Sequence, residues 1–174
     1  WLNEPPSWQA DGNTITAVAG PRTDFWRKTH DGGIRHTGHF CYQPVTGDVA
    51  AEVRLSAQYA ALYDQAGLMV RLDEANWLKC GIELVGGVQY ASTVVTRDWS
   101  DWSVLPLGSP AAVWFRIVRR GPTIETYYSL DGQAYTILRQ AYLTLEPMLQ
   151  VGIMLASPSG DGFPATFEGL SVAS

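Results

Sequence analysis

Cysteine is nearly missing: Cys41 and Cys80 are the two in 174 residues. Two are too few for a disulfide framework. Cys80 falls at an apolar position of an alternating run, so both thiols are expected to be reduced and unpaired. Charge is scarce as well, 17% of residues against about 25% in an average domain. What charge there is leans acidic, 12 basic against 17 acidic side chains for a net of −5. An acidic chain repels phosphate backbones, which argues against nucleic acid as the main partner. No apolar run approaches the ~20 residues of a membrane span, so no membrane partner is expected. The opening Trp1-Leu2-Asn3-Glu4-Pro5-Pro6 has no basic start and no apolar stretch of a leader, and we expect a cytoplasmic protein. Helical periodicity is almost absent, and neither Gly-x-Ser-x-Gly nor a Walker-type loop occurs.

Aromatics, by contrast, are plentiful: 7 Trp, 8 Tyr and 5 Phe. With so few charges, such a surface suits sugars or flat ligands, although a large core uses aromatics too. The length suits one domain spanning residues 1–174, large enough to bury a core without staples. Period-two alternation recurs over residues 14–19, 38–42, 48–59, 65–72, 77–85, 88–97, 113–120, 123–130, 134–138, 149–156 and 166–172. Turn signals separate these runs, among them Gly86-Gly87, Gly121-Pro122 and Asp131-Gly132. Many short strands with regular turns predict an all-β sandwich or barrel. There is no long repeat, and Asp98-Trp99-Ser100-Asp101-Trp102-Ser103 is only a local doubling.

Register follows from the faces. Leu68, Val70, Cys80, Ile82, Val95, Phe115, Ile117, Val151 and Ile153 fall on apolar faces and are the expected core. Leu72 opposite Leu78 keeps two of these faces together, with residues 73–77 as the loop. Gly86-Gly87 makes a two-residue hairpin pairing Val85 with Val88. On the opposite face Gly67 then lies beside Glu83, Met69 beside Gly81, and Arg71 beside Lys79. Gly67 and Gly81 become diagonal neighbours without side chains. Glycine inside a strand often marks close approach of a ligand or another backbone. A trough is expected there, rimmed by Gln65, Arg71, Lys79, Glu83 and Tyr90. Directly opposed Arg71 and Lys79 would repel, which calls for an acid or a bound anion between them. The Gly121-Pro122 hairpin places Phe115, Ile117, Thr126 and Tyr128 in the core, with Arg116 beside Tyr127 and Val118 beside Glu125 outside.

Four stretches carry a resemblance. They are residues 23–30 (Thr-Asp-Phe-Trp-Arg-Lys-Thr-His), 62–69 (Leu-Tyr-Asp-Gln-Ala-Gly-Leu-Met), 77–83 (Trp-Leu-Lys-Cys-Gly-Ile-Glu), and Val94-Val95-Thr96 followed by Ser100-Asp101-Trp102-Ser103. Together they resemble a bacterial family of unknown function grouped with the fungal "regulation of enolase" proteins. That family belongs to the concanavalin A-like lectin/glucanase superfamily. The resemblance covers nearly the whole chain and implies a jelly-roll sandwich of two antiparallel sheets with a concave face. It implies no reaction, and fold likeness alone does not supply one. The Glu-x-Asp-x-x-Glu strand of the superfamily's glucanases is missing, as is the Asp/Asn-rich loop that holds metals in legume-type lectins. After Thr29-His30, where the family often carries an aromatic pair, this chain reads Asp31-Gly32-Gly33.

His30, His36 and His39 lie near Asp24 and Asp31, but spacings of six and three match no zinc pattern. No metal or other cofactor is therefore expected. Three functions remain. The leading one is a non-catalytic module binding a carbohydrate or sugar-like metabolite, with Trp26, Trp77, Trp99 or Trp102 as stacking platforms. The others are a protein-interaction or regulatory module, and a glycoside-acting enzyme pairing Glu83 with Asp64 or Glu125. The expected ligand-binding set is Tyr63, Asp64, Gln65, Arg71, Trp77, Lys79, Glu83, Tyr90, Asp101 and Trp102. Two carboxylates facing across one cleft would favour catalysis. Trp and amides around one carboxylate would favour binding, and an exposed aromatic surface elsewhere would favour a protein partner.

Overall fold

The computed structural model describes residues 1–174 and contains strands but no helix. In chain order the strands are β1 (Ser7–Asp11), β2 (Thr14–Val18), β3 (Phe25–Arg27), β4 (Ile34–His36), β5 (His39–Thr46), β6 (Val49–Ala57), β7 (Gln65–Arg71) and β8 (Asn76–Val85). They continue with β9 (Val88–Arg97), β10 (Trp99–Gly108), β11 (Val113–Arg120), β12 (Thr123–Ser129), β13 (Thr136–Tyr142), β14 (Met148–Ala156) and β15 (Pro164–Ala173). One sheet has seven strands in the order β1-β2-β15-β6-β11-β12-β13; the other has six, β10-β9-β8-β7-β14-β5. β3 and β4 form a separate two-stranded ribbon. The chain is thus an all-β jelly-roll sandwich of two antiparallel sheets, as the alternation implies.

Between the sheets lies the main core, where Val53, Leu55, Phe115, Ile117 and Phe167 of one sheet meet Leu68, Val70, Ile82, Val151 and Ile153 of the other. All nine residues expected in the core are buried. In β11 the alternation is literal, with Val113, Phe115, Ile117 and Arg119 buried and the residues between them less so. β7 breaks the rule, since every residue from Gln65 to Arg71 is buried. Its inner face meets the seven-stranded sheet. Part of its outer face lies under the β3–β4 ribbon, where Phe25 joins Met69, Trp77, Val94 and Met154 in a second apolar cluster.

The two glycine-turn hairpins pair as expected: Val85 faces Val88, Ile82 faces Ala91, and Ile117 faces Thr126. The β7–β8 register is corrected by two residues: Val70, not Leu72, faces Leu78. The reason is the loop chemistry. Asp73 Oδ1 accepts the backbone N–H groups of Ala75 and Asn76, each at 2.8 Å, and the folded loop lets Asn76 O accept from Leu72 N at 2.9 Å. A shift of two keeps every face and changes every neighbour. Arg71 now pairs with Trp77 and Lys79 with Met69, so the expected repulsion between Arg71 and Lys79 is relieved. Gly67 faces Gly81 directly. A Cβ on Gly67 would stand 2.0 Å from Cys80 O, and one on Gly81 2.0 Å from Ala66 O. These glycines admit a neighbouring backbone rather than opening a broad trough.

Four strands went unread in the sequence: β1, β3, β4 and β10. The repeated Asp-Trp-Ser triplet obscures the alternation of β10, where Trp102 and Asp101 take opposite faces and Asp98 turns the chain with φ 63°. Cys41 and Cys80 are unpaired, and burial raises the Cys80 thiol far above its ordinary range.

His39 secures the root of the ribbon. Its Nδ1–H donates to Asn3 O at 2.6 Å, and Nε2 accepts from Gly20 N–H at 2.9 Å. This fixes the neutral form, and burial holds the pKa below its usual 6.5. A depressed folded pKa contributes stability that is complete above the unfolded value and is lost as pH falls through the folded one. Wild-type stability is therefore expected to fall below about pH 6, with a smaller fall in His39→Asn, checked by urea midpoints across pH. Equal pH slopes would show that His39 carries none of it. Gly81→Ala is expected to cost about 1–3 kcal/mol through the clash with Ala66 O, and an unchanged urea midpoint would contradict the close strand approach.

Candidate functional site

The ribbon decides what remains open on the outer face of the six-stranded sheet. Gly38 has no Cβ, and one there would stand 2.4 Å from the Phe25 ring, so the glycine lets that ring seat over the sheet. Phe25 packs 6.2 Å from Trp77, ring to ring. Farther along, Arg27 N donates to Ser100 Oγ at 2.9 Å and Thr29 Oγ1 to Ser100 O at 2.5 Å, tying the ribbon to β10. Beside this bridge the sheet is uncovered, leaving a cleft of about 780 Å³. β7, β8, β9 and β10 supply Gln65, Lys79, Glu83, Val94, Ser100 and Trp102, and the ribbon segment supplies Asp24, Trp26, Asp31 and Arg35. Tyr63, Pro158 and Ser159 close the remaining side.

Tyr63 has φ 68°, a left-handed conformation unusual for a bulky residue. Two contacts hold it. Tyr63 N donates to Leu84 O at 2.7 Å, and the next residue, Asp64, is fully buried. Asp64 Oδ2 accepts from Ala60 N and Ala61 N at 2.8 Å, and Oδ1 from Ser157 Oγ at 2.5 Å. The Tyr63 ring meets Trp102 edge-on at 6.2 Å.

Polar groups converge on the floor. Lys79 is 6% exposed, and its Nζ donates to Phe25 O at 2.8 Å and to Gln65 Oε1. Asp24 Oδ1 lies 3.9 Å from the same ammonium. Glu83 is 8% exposed. Its Oε2 accepts from Ser92 Oγ at 2.8 Å and from Trp102 Nε1 at 2.9 Å, while Oε1 accepts no bond from the chain. Burial raises the pKa of Asp24 and of Glu83 against the pull of Lys79, and burial lowers that of Lys79. Over Gly81 the expected trough shrinks to a hollow of about 10 Å³ between Gln65, Lys79, Glu83, Ser92 and Met154. That is room for about one water or one hydroxyl.

Of the residues expected from sequence, Tyr63, Gln65, Lys79, Glu83, Asp101 and Trp102 line the cleft. Four do not. Asp64 spends its oxygens on its own loop. Trp77 is fully buried beneath Phe25 and offers no stacking face. Arg71 is buried with Gln150 Oε1 at 2.6 Å and His36 Nε2 at 3.3 Å. Tyr90 faces Glu83 in register but lies outside the lining, beside Pro106. Glu125 belongs to the other sheet, bonded to Tyr127 and Gln140. The carboxylate that joins Glu83 across Lys79 is Asp24, which sequence reasoning missed along with Asp31 and Arg35. Their signal was the aromatic and charged run 23–36, but strands of three residues carry no readable period.

The geometry defines a jelly-roll sandwich with a polar, aromatic-walled cleft on one sheet. Over residues 1–174 the chain belongs to the family described as proteins of unknown function, DUF1349. It is 36% identical over 169 residues to "Regulation of enolase protein 1" of Saccharomyces cerevisiae, covering 97% of this chain and 85% of that protein. The crystal structure of a functionally unknown protein from Saccharomyces cerevisiae superposes with a TM-score of 0.96 at 35% identity, covering 100% of this chain and 95% of that one. These relatives are fungal, which bears out the grouping with the "regulation of enolase" proteins and gives no support to the bacterial part of that expectation. The carbohydrate-binding module CBM66 from Bacillus subtilis shares the fold alone, with a TM-score of 0.64 at 11% identity over 97% of this chain and 91% of that one.

Trp102 Nε1–H stabilises the charged form of Glu83, so removing it should raise the Glu83 pKa further. We expect Trp102→Phe to shift the Glu83 carboxyl titration upward in carbon-detected NMR. An unmoved titration would mean that the indole does not hold that oxygen.

Proposed function

We propose that the chain is a non-catalytic binding module for a carbohydrate or sugar-like metabolite, held in the cleft between Trp102, Tyr63 and Trp26. One observation carries this reading. Glu83 has one oxygen fixed by Ser92 and Trp102 and the other left without a partner at the cleft surface. An open acceptor on an otherwise buried side chain suits a ligand hydroxyl, and the aromatic side chains of the cleft suit the CH face of a sugar ring. Lys79 is already engaged by Phe25 O and Gln65, which turns the site away from the anionic ligand that an unpaired lysine would attract. The likeness to a module named for carbohydrate binding agrees with this reading at the level of fold.

The test is NMR titration of the wild-type chain with a panel of mono- and oligosaccharides. At least one should shift the Trp102 indole resonance saturably, and Glu83→Gln should weaken that ligand about tenfold or more. No saturable shift with any sugar would overturn the proposal. Co-elution with an enolase under those conditions would favour a regulatory role, to which the relative's name and the exposed Trp99, Val104 and Leu105 of β10 would then point. Asp24 and Glu83 are two carboxylates in one cleft, the feature that favours catalysis. Both, however, are drawn to the single Lys79 ammonium on its floor and burial raises the pKa of both, so neither is set apart as the ionised partner of an acid–base pair. Release of reducing ends from the panel would move the reading to catalysis by these two.

A further inference from the structure

The cleft carries more carboxylates than cations. Asp31 is matched by Arg35, and Asp101 by Arg139 of β13 at 2.8 Å. Arg35 also acts on Asp24 through space, but Lys79 is the one cation that Asp24 and Glu83 share, two carboxylates about one ammonium. It cannot satisfy both. An ammonium has three hydrogens, and Phe25 O and Gln65 Oε1 take two of them. Asp24 stands at 3.9 Å, beyond a direct hydrogen bond, and Glu83 makes no ion pair within 4.0 Å.

The surplus is placed where charge is costly. Glu83 is more than nine-tenths buried, yet its unpartnered Oε1 belongs to a side chain lining an open cleft. The Asp24 carboxylate is met by the Phe25 backbone N–H, its Oδ2 receives no side-chain bond, and its side chain is 15% exposed. Uncompensated negative charge in a desolvated site is unfavourable until a cation joins it. Burial, against the pull of Lys79, raises the pKa of both carboxyls, as desolvated carboxylates require. Trp26, Trp102 and Tyr63 line the same cleft, and aromatic faces attract cations. A neutral sugar would use the aromatics and leave the surplus charge. A uronate or sugar phosphate would bring the wrong sign.

Resting on the carbohydrate-binding reading above, we propose that the ligand class of this cleft is an amine-bearing sugar. Its ammonium group is held by the unpartnered Oε1 of Glu83 and by the Asp24 carboxylate, and its ring lies against the aromatic wall.

The experiment is calorimetry and NMR titration of the full chain with glucosamine, N-acetylglucosamine, glucose and glucuronate, each as monosaccharide and short oligomer, at low and high salt. Glucosamine and its oligomers should bind about tenfold tighter than their glucose counterparts, and the margin should shrink with salt. N-acetylglucosamine, with its amine blocked, should lose the margin, and glucuronate should bind weakest. Glu83→Gln keeps the shape and should abolish the preference. Asp24→Asn is a second, independent variant that should reduce it, with circular dichroism confirming the fold of each. Equal affinity for glucosamine and glucose, or tighter glucuronate, would overturn this inference and leave carbohydrate binding standing. Absence of binding by every sugar would overturn both.

Discussion

The ammonium of Lys79 joins the ribbon to the sheet. Its stem rises from the middle of β8, and its Nζ donates to Phe25 O on β3 and to Gln65 on β7. Taking a lysine out of water is costly unless its hydrogens and charge are met. Here backbone and amide oxygens meet two hydrogens, and Asp24 and Glu83 supply the opposing field. The same contact explains why the ribbon crosses where it does. With Phe25 O over Lys79, the Phe25 ring reaches Trp77 and Met69, and Asp24 comes to the edge of the cleft.

A consequence is that one side of the outer sheet face becomes core and the other becomes site. Met69 and Trp77 are sealed by Phe25, and Val94 at the cleft's margin completes the second apolar cluster. Glu83, Ser92 and Trp102 lie beyond its reach and turn their hydrogen-bonding capacity inward, to one another and to the cleft. Floor and wall are therefore coupled. Loosening the ribbon would expose apolar surface and also remove Asp24, Asp31 and Arg35 from the cleft. Tyr63 enters the same arrangement from the other side, through the loop pinned by Asp64.

Membership in a family of unknown function, with a named yeast relative of similar length, fixes the fold and leaves the ligand to the site's chemistry. That chemistry is specific. Fixed and free oxygens on one carboxylate, a lysine already satisfied, and an acidic surplus within aromatic walls distinguish this cleft from an ordinary solvated sheet face.

The sequence by itself determined the strands whose two faces differ, because alternation records which side meets the core. It also determined the hairpins at Gly86-Gly87 and Gly121-Pro122, because a two-residue turn dictates its own register. Ile82 against Ala91 and Ile117 against Thr126 were legible for that reason. Gln65, Lys79 and Glu83 could be placed in the candidate site because one sheet face carries them, whereas Trp102 was legible only as an aromatic near its edge. The β7–β8 register could not be fixed, since face parity allows shifts of two and the Asp73–Asn76 loop chose among them through side-chain hydrogen bonds. Nor could the fates of Trp77, Arg71 and Asp64, which depend on what lies above them. β3 and β4 are too short to show a period, and nothing local says that Phe25 will fold back onto β8. Only the tertiary structure brought Asp24 to Lys79, across 55 residues of chain — a contact set by the packing of a ribbon against a sheet, which no pattern along either segment encodes.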